Sequence, residues 1–110
     1  MLPKDANEAL SPSEKRSSDR KKLIVNIKYS DGDTTAIANT RDIGIGGLYM
    51  ITKAEFEIGT PLFLKMSIGG QDIALDGVVT YIDPGHGIDI RFQAISEKNE
   101  AILKKELHLE

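Results

Sequence analysis

Leu23-Ile24-Val25-Asn26-Ile27-Lys28-Tyr29 puts apolar side chains at 23, 25, 27 and 29 and polar ones at 26 and 28. A period of two marks a strand with one face buried and one face wet. Asp31-Gly32 follows, a pair that accepts positive φ and signals a hairpin. Thr34 to Ile43, rich in β-branched residues, then reads as the returning strand. Further along, Leu48 to Thr52, Leu62 to Ile68, Ile73 to Ile82 and Ile88 to Phe92 carry strand patterning. Glycine- and proline-containing turns at 57–61, 69–70 and 83–87 separate them. Gly77 is read as a bulge within the run Ile73 to Ile82. Ser96 caps a final helix, with Glu97 in its first turn and Ile102, Leu103 and Leu107 as its apolar stripe. The expected fold is mainly β: a small six-stranded antiparallel β-barrel over about 23–93 with a C-terminal α-helix over about 96–108. Closing the sheet removes exposed edges.

The 110 residues are enough for one domain, and 40% hydrophobic with 28% charged residues is ordinary for a soluble globular protein. The chain contains no cysteine, which excludes disulfides, thiolate metal sites and a cysteine nucleophile. No apolar run reaches the roughly 18–20 residues that cross a bilayer, so a cytoplasmic protein without membrane insertion is expected. His86 and His108 are too far apart in sequence, and too short of carboxylate company, to suggest a metal site. Residues 1–14 are polar, contain Pro3 and Pro12, and read as a flexible tail ahead of a single domain over 15–110.

The net charge is -3, yet Lys15, Arg16, Arg20, Lys21 and Lys22 cluster in the segment 15–22 against Asp19 alone. A compact cationic segment on an acidic protein suits a small anion better than a long nucleic acid, which is usually met by a basic face. Only three Phe and three Tyr, with no Trp, are available to stack bases, so no DNA or RNA partner is expected. No nucleophile elbow, phosphate-binding P-loop or acid–base pair is recognisable, and the chain reads as a binding protein without a cofactor, not as an enzyme.

Two constellations carry the chemistry. Arg16-Ser17-Ser18-Asp19-Arg20 spaces two arginines four positions apart, and Asp42-Ile43-Gly44-Ile45-Gly46-Gly47 places a carboxylate ahead of three glycines. An arginine fork matches phosphate oxygens, and it also matches guanine O6 and N7. A carboxylate accepts from the guanine edge that arginine does not use. Glycines let backbone N–H groups approach a ligand.

In order, spacing and β context, these two motifs resemble those of the PilZ family: Arg-x-x-x-Arg before the first barrel strand, and Asp/Asn-x-Ser-x-x-Gly after the second. The stretches 78–82 and 87–92 resemble the family's closing strands. The resemblance covers roughly residues 15 to 107. It implies a barrel that binds cyclic di-GMP, with Arg16, Arg20, Asp42 and Gly47 at motif positions and Gly44 and Gly46 in the same turn. Lys15 precedes the first arginine, where a basic residue accompanies a stacked pair of ligand molecules in the family. Lys21 is expected to steer the anion, and Arg91 to lie at the ligand's rim. Gly44 stands where the family has serine, which removes one hydroxyl contact.

The implied mechanism is a cyclic di-GMP receptor whose N-terminal segment changes conformation on binding and relays the signal to a downstream protein partner. The alternative is a degenerate PilZ-like interaction module that no longer takes the nucleotide.

Overall fold

The computed structural model describes residues 20–108, and the tail over 1–14, Lys15 and Arg16 lie outside the described residues. Seven strands and one helix are formed: β1 (Lys21–Lys22), β2 (Asn26–Ser30), β3 (Thr35–Ile43), β4 (Gly47–Ile51), β5 (Pro61–Ile68), β6 (Gln71–Asp83), β7 (Gly87–Gln93) and α1 (Glu97–Glu106). They form one antiparallel sheet in the order β1-β3-β2-β5-β6-β7-β4, and a β3–β4 pairing closes it into a ring. β1 and β2 lie along the same edge of β3, Lys22 opposite Asp42 and Asn26 opposite Asn39. They are two halves of one barrel strand, so the barrel is six-stranded with a C-terminal helix, as the patterning predicts.

The strand read as continuous from Leu23 to Tyr29 is interrupted at 23–25, and the cause is Thr40. Its hydroxyl donates to the Leu23 carbonyl at 2.6 Å and accepts from the Val25 N–H at 3.0 Å. The ladder continues around it, Leu23 N–H donating to the Arg41 carbonyl at 3.1 Å and Thr40 N–H to the Val25 carbonyl at 3.0 Å. Thr40 is completely buried, and both its side-chain bonds go to backbone groups that would otherwise be orphaned.

The core follows the alternation. Ile27, Met66 and Ile73 face one another across three strands, with Tyr29, Leu64 and Leu75 beside them. Ile43, Leu48, Ile90 and Val79 form the row across the other side of the barrel. All of these are buried. Gly77 is not a bulge: it sits in register between Leu62 and Phe92, and a Cβ there would run into the Ile90 side chain. The register of β6 shifts instead between Val79 and Tyr81.

The Ser96 side chain caps α1 by accepting from the Asn99 N–H at 3.1 Å. Asn99 Nδ2 donates to the Ala74 carbonyl at 3.0 Å, and Leu103 and Leu107 enter the barrel core. The antiparallel register brings the start of β1, the β3–β4 turn and the end of β7 to one end of the barrel. Among the described residues no helix is long and apolar enough to cross a membrane.

Two predictions follow from local bonding. Thr40→Val keeps the shape but strands the Val25 N–H and the Leu23 carbonyl. It should lower unfolding free energy by about 1–3 kcal/mol, read from urea midpoints. A change indistinguishable from zero would mean that Thr40 does not hold the break. At the β2–β3 turn, the exposed Asp31 carboxylate accepts from the Thr34 and Asp33 N–H groups, which hold its pKa below 3.8. A depressed carboxylate stabilises above its unfolded value and loses that contribution as pH falls through the folded one. Asp31→Ala should therefore lower the melting temperature at pH 7, and the gap to the parent protein should narrow as pH falls from 3.8.

Candidate functional site

β3 carries a bulge between Thr40 and Asp42: Thr40 pairs with Met50, Asp42 with Tyr49, and Arg41 is the extra residue. Thr40 and Ile43 both point into the core, so Arg41 and Asp42 are left side by side on the outside of the barrel. From Asp42 a row of directly opposed residues crosses the outer face. Asp42 opposes Tyr49, Tyr49 opposes Asp89, and Asp89 opposes Tyr81. Lys22 of β1 extends the row on the other side of Asp42.

Arg20 lies over this row. Its Nη1 donates to Asp42 Oδ1 at 3.1 Å and to Asp89 Oδ1 at 2.7 Å, bridging two carboxylates that flank Tyr49. The Arg20 side chain is only 11% exposed, and the two carboxylates 12% and 18%. Charge-assisted bonds in so little water are stronger than their surface counterparts, and two neighbouring carboxylates need the cation between them. The Arg20 Nε–H is buried without an acceptor among the described residues.

A second arginine completes the cluster. Arg41 Nε donates to Asp42 Oδ2 at 2.7 Å, so Asp42 is paired through both oxygens. The Arg41 guanidinium carbon lies 3.8 Å from the centre of the Tyr49 ring. The hydrogen bond to Asp42 raises the Arg41 pKa above its ordinary value. Tyr49 is buried beneath, its hydroxyl donating to Asp83 Oδ2 at 3.0 Å. Burial, then that hydrogen bond, pushes the Tyr49 phenol above its usual pKa. Gly87 makes room for the ring, because a Cβ there would collide with it.

The structure thus brings Arg20 and Asp42 together and sets the glycine turn directly after them. Gly44 N–H donates to the Gly47 carbonyl at 2.8 Å, and the Gly46 carbonyl accepts from Phe92 N–H at 2.8 Å. The turn is therefore braced internally, and the Gly44 N–H is already occupied. Gly47 packs so closely on β7 that a Cβ would strike the Ile90 carbonyl. Arg91 is opposite Gly47 and exposed, and Lys21 is exposed on β1. Lys15 and Arg16 lie outside the described residues.

Sequence reasoning passed over Asp89, Arg41, Tyr49 and Asp83. Asp89 carried one signal: it shares the outer face of β7 with Arg91, two positions away. Arg41 carried none, since only the bulge turns it to the same side as Asp42. Among the described residues, no group of three or more His, Cys, Asp or Glu side chains is arranged to hold a metal ion.

Comparison with known proteins agrees with this fold. The PilZ domain profile matches residues 14–108. No curated protein sequence matches significantly. Among solved structures, the Bacillus subtilis inhibitor of motility MotI/DgrA superposes with a TM-score of 0.70 at 16% identity, over 82% of this chain and 48% of that one. This chain therefore spans about half the length of that protein. The PilZ domain of CeSA, from a cellulose-synthesizing bacterium, superposes with a TM-score of 0.62 at 19% identity, over 82% of this chain and 96% of that domain. At such identities the superpositions speak for the fold, and the profile, spanning most of the sequence, speaks for the family. The chain belongs to the PilZ domain family, a family of cyclic di-GMP receptors that act as regulatory binding modules and not as enzymes.

Proposed function

We propose that this chain binds cyclic di-GMP on the outer face of the barrel, around Arg20, Asp42 and the turn Gly44 to Gly47. The observation that carries the reading is the convergence of Arg20 and Asp42. They stand 22 residues apart in sequence, belong to the two motifs, and meet at 3.1 Å.

In this reading the guanidinium of Arg20 serves a phosphate or a guanine Hoogsteen edge. Its buried Nε–H, which has no acceptor among the described residues, gains from a ligand oxygen. Asp42 accepts from guanine N1–H and the exocyclic amine. Asp89 keeps Arg20 over the row when Asp42 Oδ1 exchanges Arg20 for the ligand and Oδ2 stays on Arg41, so that neither arginine is left unpaired. Lys15, Arg16, Lys21 and Arg91 supply the further positive charge that two phosphates require. The segment carrying Lys15 and Arg16 closes over the bound nucleotide and relays the event to a protein partner. That relay works only because the ligand favours the closed arrangement. Gly44 in place of serine removes one hydroxyl contact, which weakens binding by about threefold to tenfold without abolishing it.

Calorimetric titration with cyclic di-GMP tests this. The intact chain should bind, and Arg20→Ala should lose at least about tenfold in affinity through charge-assisted bonds. Asp89→Asn should also bind more weakly, because Arg20 loses its shorter tether. Circular dichroism checks that both variants remain folded. An intact chain that takes up no nucleotide would sink the receptor reading and leave a protein-interaction module.

A further inference from the structure

We infer that Arg41 is an additional ligand-binding residue, a flat guanidinium platform on which a guanine base of the bound nucleotide stacks. This rests on the receptor reading above and extends it to a residue outside both motifs.

Most surface arginines are free to swing, and a base that recruits one must order it. Arg41 is already held from several directions. The bulge of β3 turns it outward beside Asp42. The bond from its Nε to Asp42 Oδ2, at 2.7 Å, fixes one edge of the guanidinium. The Tyr49 ring lies beneath at 3.8 Å, within the contact range of a cation over a π face. Tyr49 is itself anchored, 5% exposed and bonded through its hydroxyl to Asp83. The Arg41 side chain nevertheless remains 57% exposed. The guanidinium is thus backed by an aromatic ring while more than half of the side chain stays open to solvent.

An ordered, solvent-exposed cationic plane suits a planar, electron-rich heterocycle carrying negative charge nearby. A purine nucleotide has that chemistry. The position also fits the edge recognition assigned to Asp42. Because Nε and Asp42 are bonded, a base stacked on Arg41 has the Asp42 carboxylate close to its rim. Tyr49, Arg41 and guanine would form a three-layer stack, and the Nη groups of Arg41, which make no hydrogen bond among the described residues, would be available to a phosphate. Lysine cannot replace arginine here: it preserves the charge and loses the plane.

The test compares the intact chain, Arg20→Ala, Arg41→Ala and Arg41→Lys by titration with cyclic di-GMP. Alongside it, the Arg41 side-chain Nε–H resonance is followed by 15N-resolved NMR on the intact chain and assigned by its absence from Arg41→Lys. Stacking predicts that Arg41→Ala weakens binding by about tenfold. It also predicts that Arg41→Lys recovers little of the loss, and that the ligand moves the Nε–H proton upfield through the guanine ring current. Full recovery in Arg41→Lys would overturn the stack in favour of a simple charge. So would an Nε–H proton that stays in place at saturation, since a residue that only positions Asp42 would feel no ring current. Wild-type affinity in Arg41→Ala, with binding lost in Arg20→Ala, would refute the role of Arg41 and leave the receptor reading standing. No binding by the intact chain would remove both.

Discussion

Strand β3 is paired along both of its edges. β2 takes Thr35 to Asn39 and β1 takes Asp42 and Ile43 along one edge, and β4 takes Asn39 to Ile43 along the other. This shared strand closes the sheet into a barrel, and its regular pairing is interrupted at two adjacent residues. Thr40 points inward and substitutes its hydroxyl for backbone partners where β1 and β2 separate. Arg41 is squeezed out as a bulge, which increases the local twist and turns two consecutive side chains outward. The strand that closes the barrel therefore also carries the bulge that sets out its charged outer cluster.

The cluster is electrostatically unusual for so small a protein. Asp42, Asp83 and Asp89 gather around one tyrosine ring, with Arg20 and Arg41 as their cations. Burying paired charges yields little net stability compared with an apolar cluster of the same shape, because desolvation offsets the attraction. Such an arrangement makes more sense as a rigid polar surface than as a stabilising device. Each oxygen of Asp42 is committed to a different arginine, and Tyr49 is held by its hydroxyl on Asp83 and lies under Arg41. A ligand would meet groups already oriented, and less ordering would be required on binding. Removing Arg20 would affect stability and recognition together, because it is the cation shared by two carboxylates.

Much of this architecture is legible in the linear sequence because it depends on local rules. Period-two alternation, β-branched content and turn residues together located the barrel strands to within a residue or two, apart from the break at 23–25. Asp31-Gly32, Gly69-Gly70 and the Asp83 to Gly87 stretch marked their turns, and Ser96 marked the helix start. The pairing of an arginine motif with a carboxylate–glycine motif pointed to Arg20 and Asp42 before any contact was visible. The misreadings have a common character. Gly77 was read as a bulge from its residue type, but the bulge positions were fixed by register around the closed ring, and Gly77 is small because Ile90 crosses it. The break at 23–25 was invisible because its cause, Thr40, lies on another strand.

The sequence by itself determined which segments form strands, where they turn, which faces are apolar and which two motifs carry charge and glycine. It could do so because those properties depend on neighbours a few positions away. The tertiary structure alone decided that Asp89, 69 residues from Arg20, would share its guanidinium. It alone put Arg41 over Tyr49 and the Tyr49 hydroxyl on Asp83. These contacts run between strands brought together by barrel closure, and a residue's partner across a closed sheet is set by register and bulges around the whole ring.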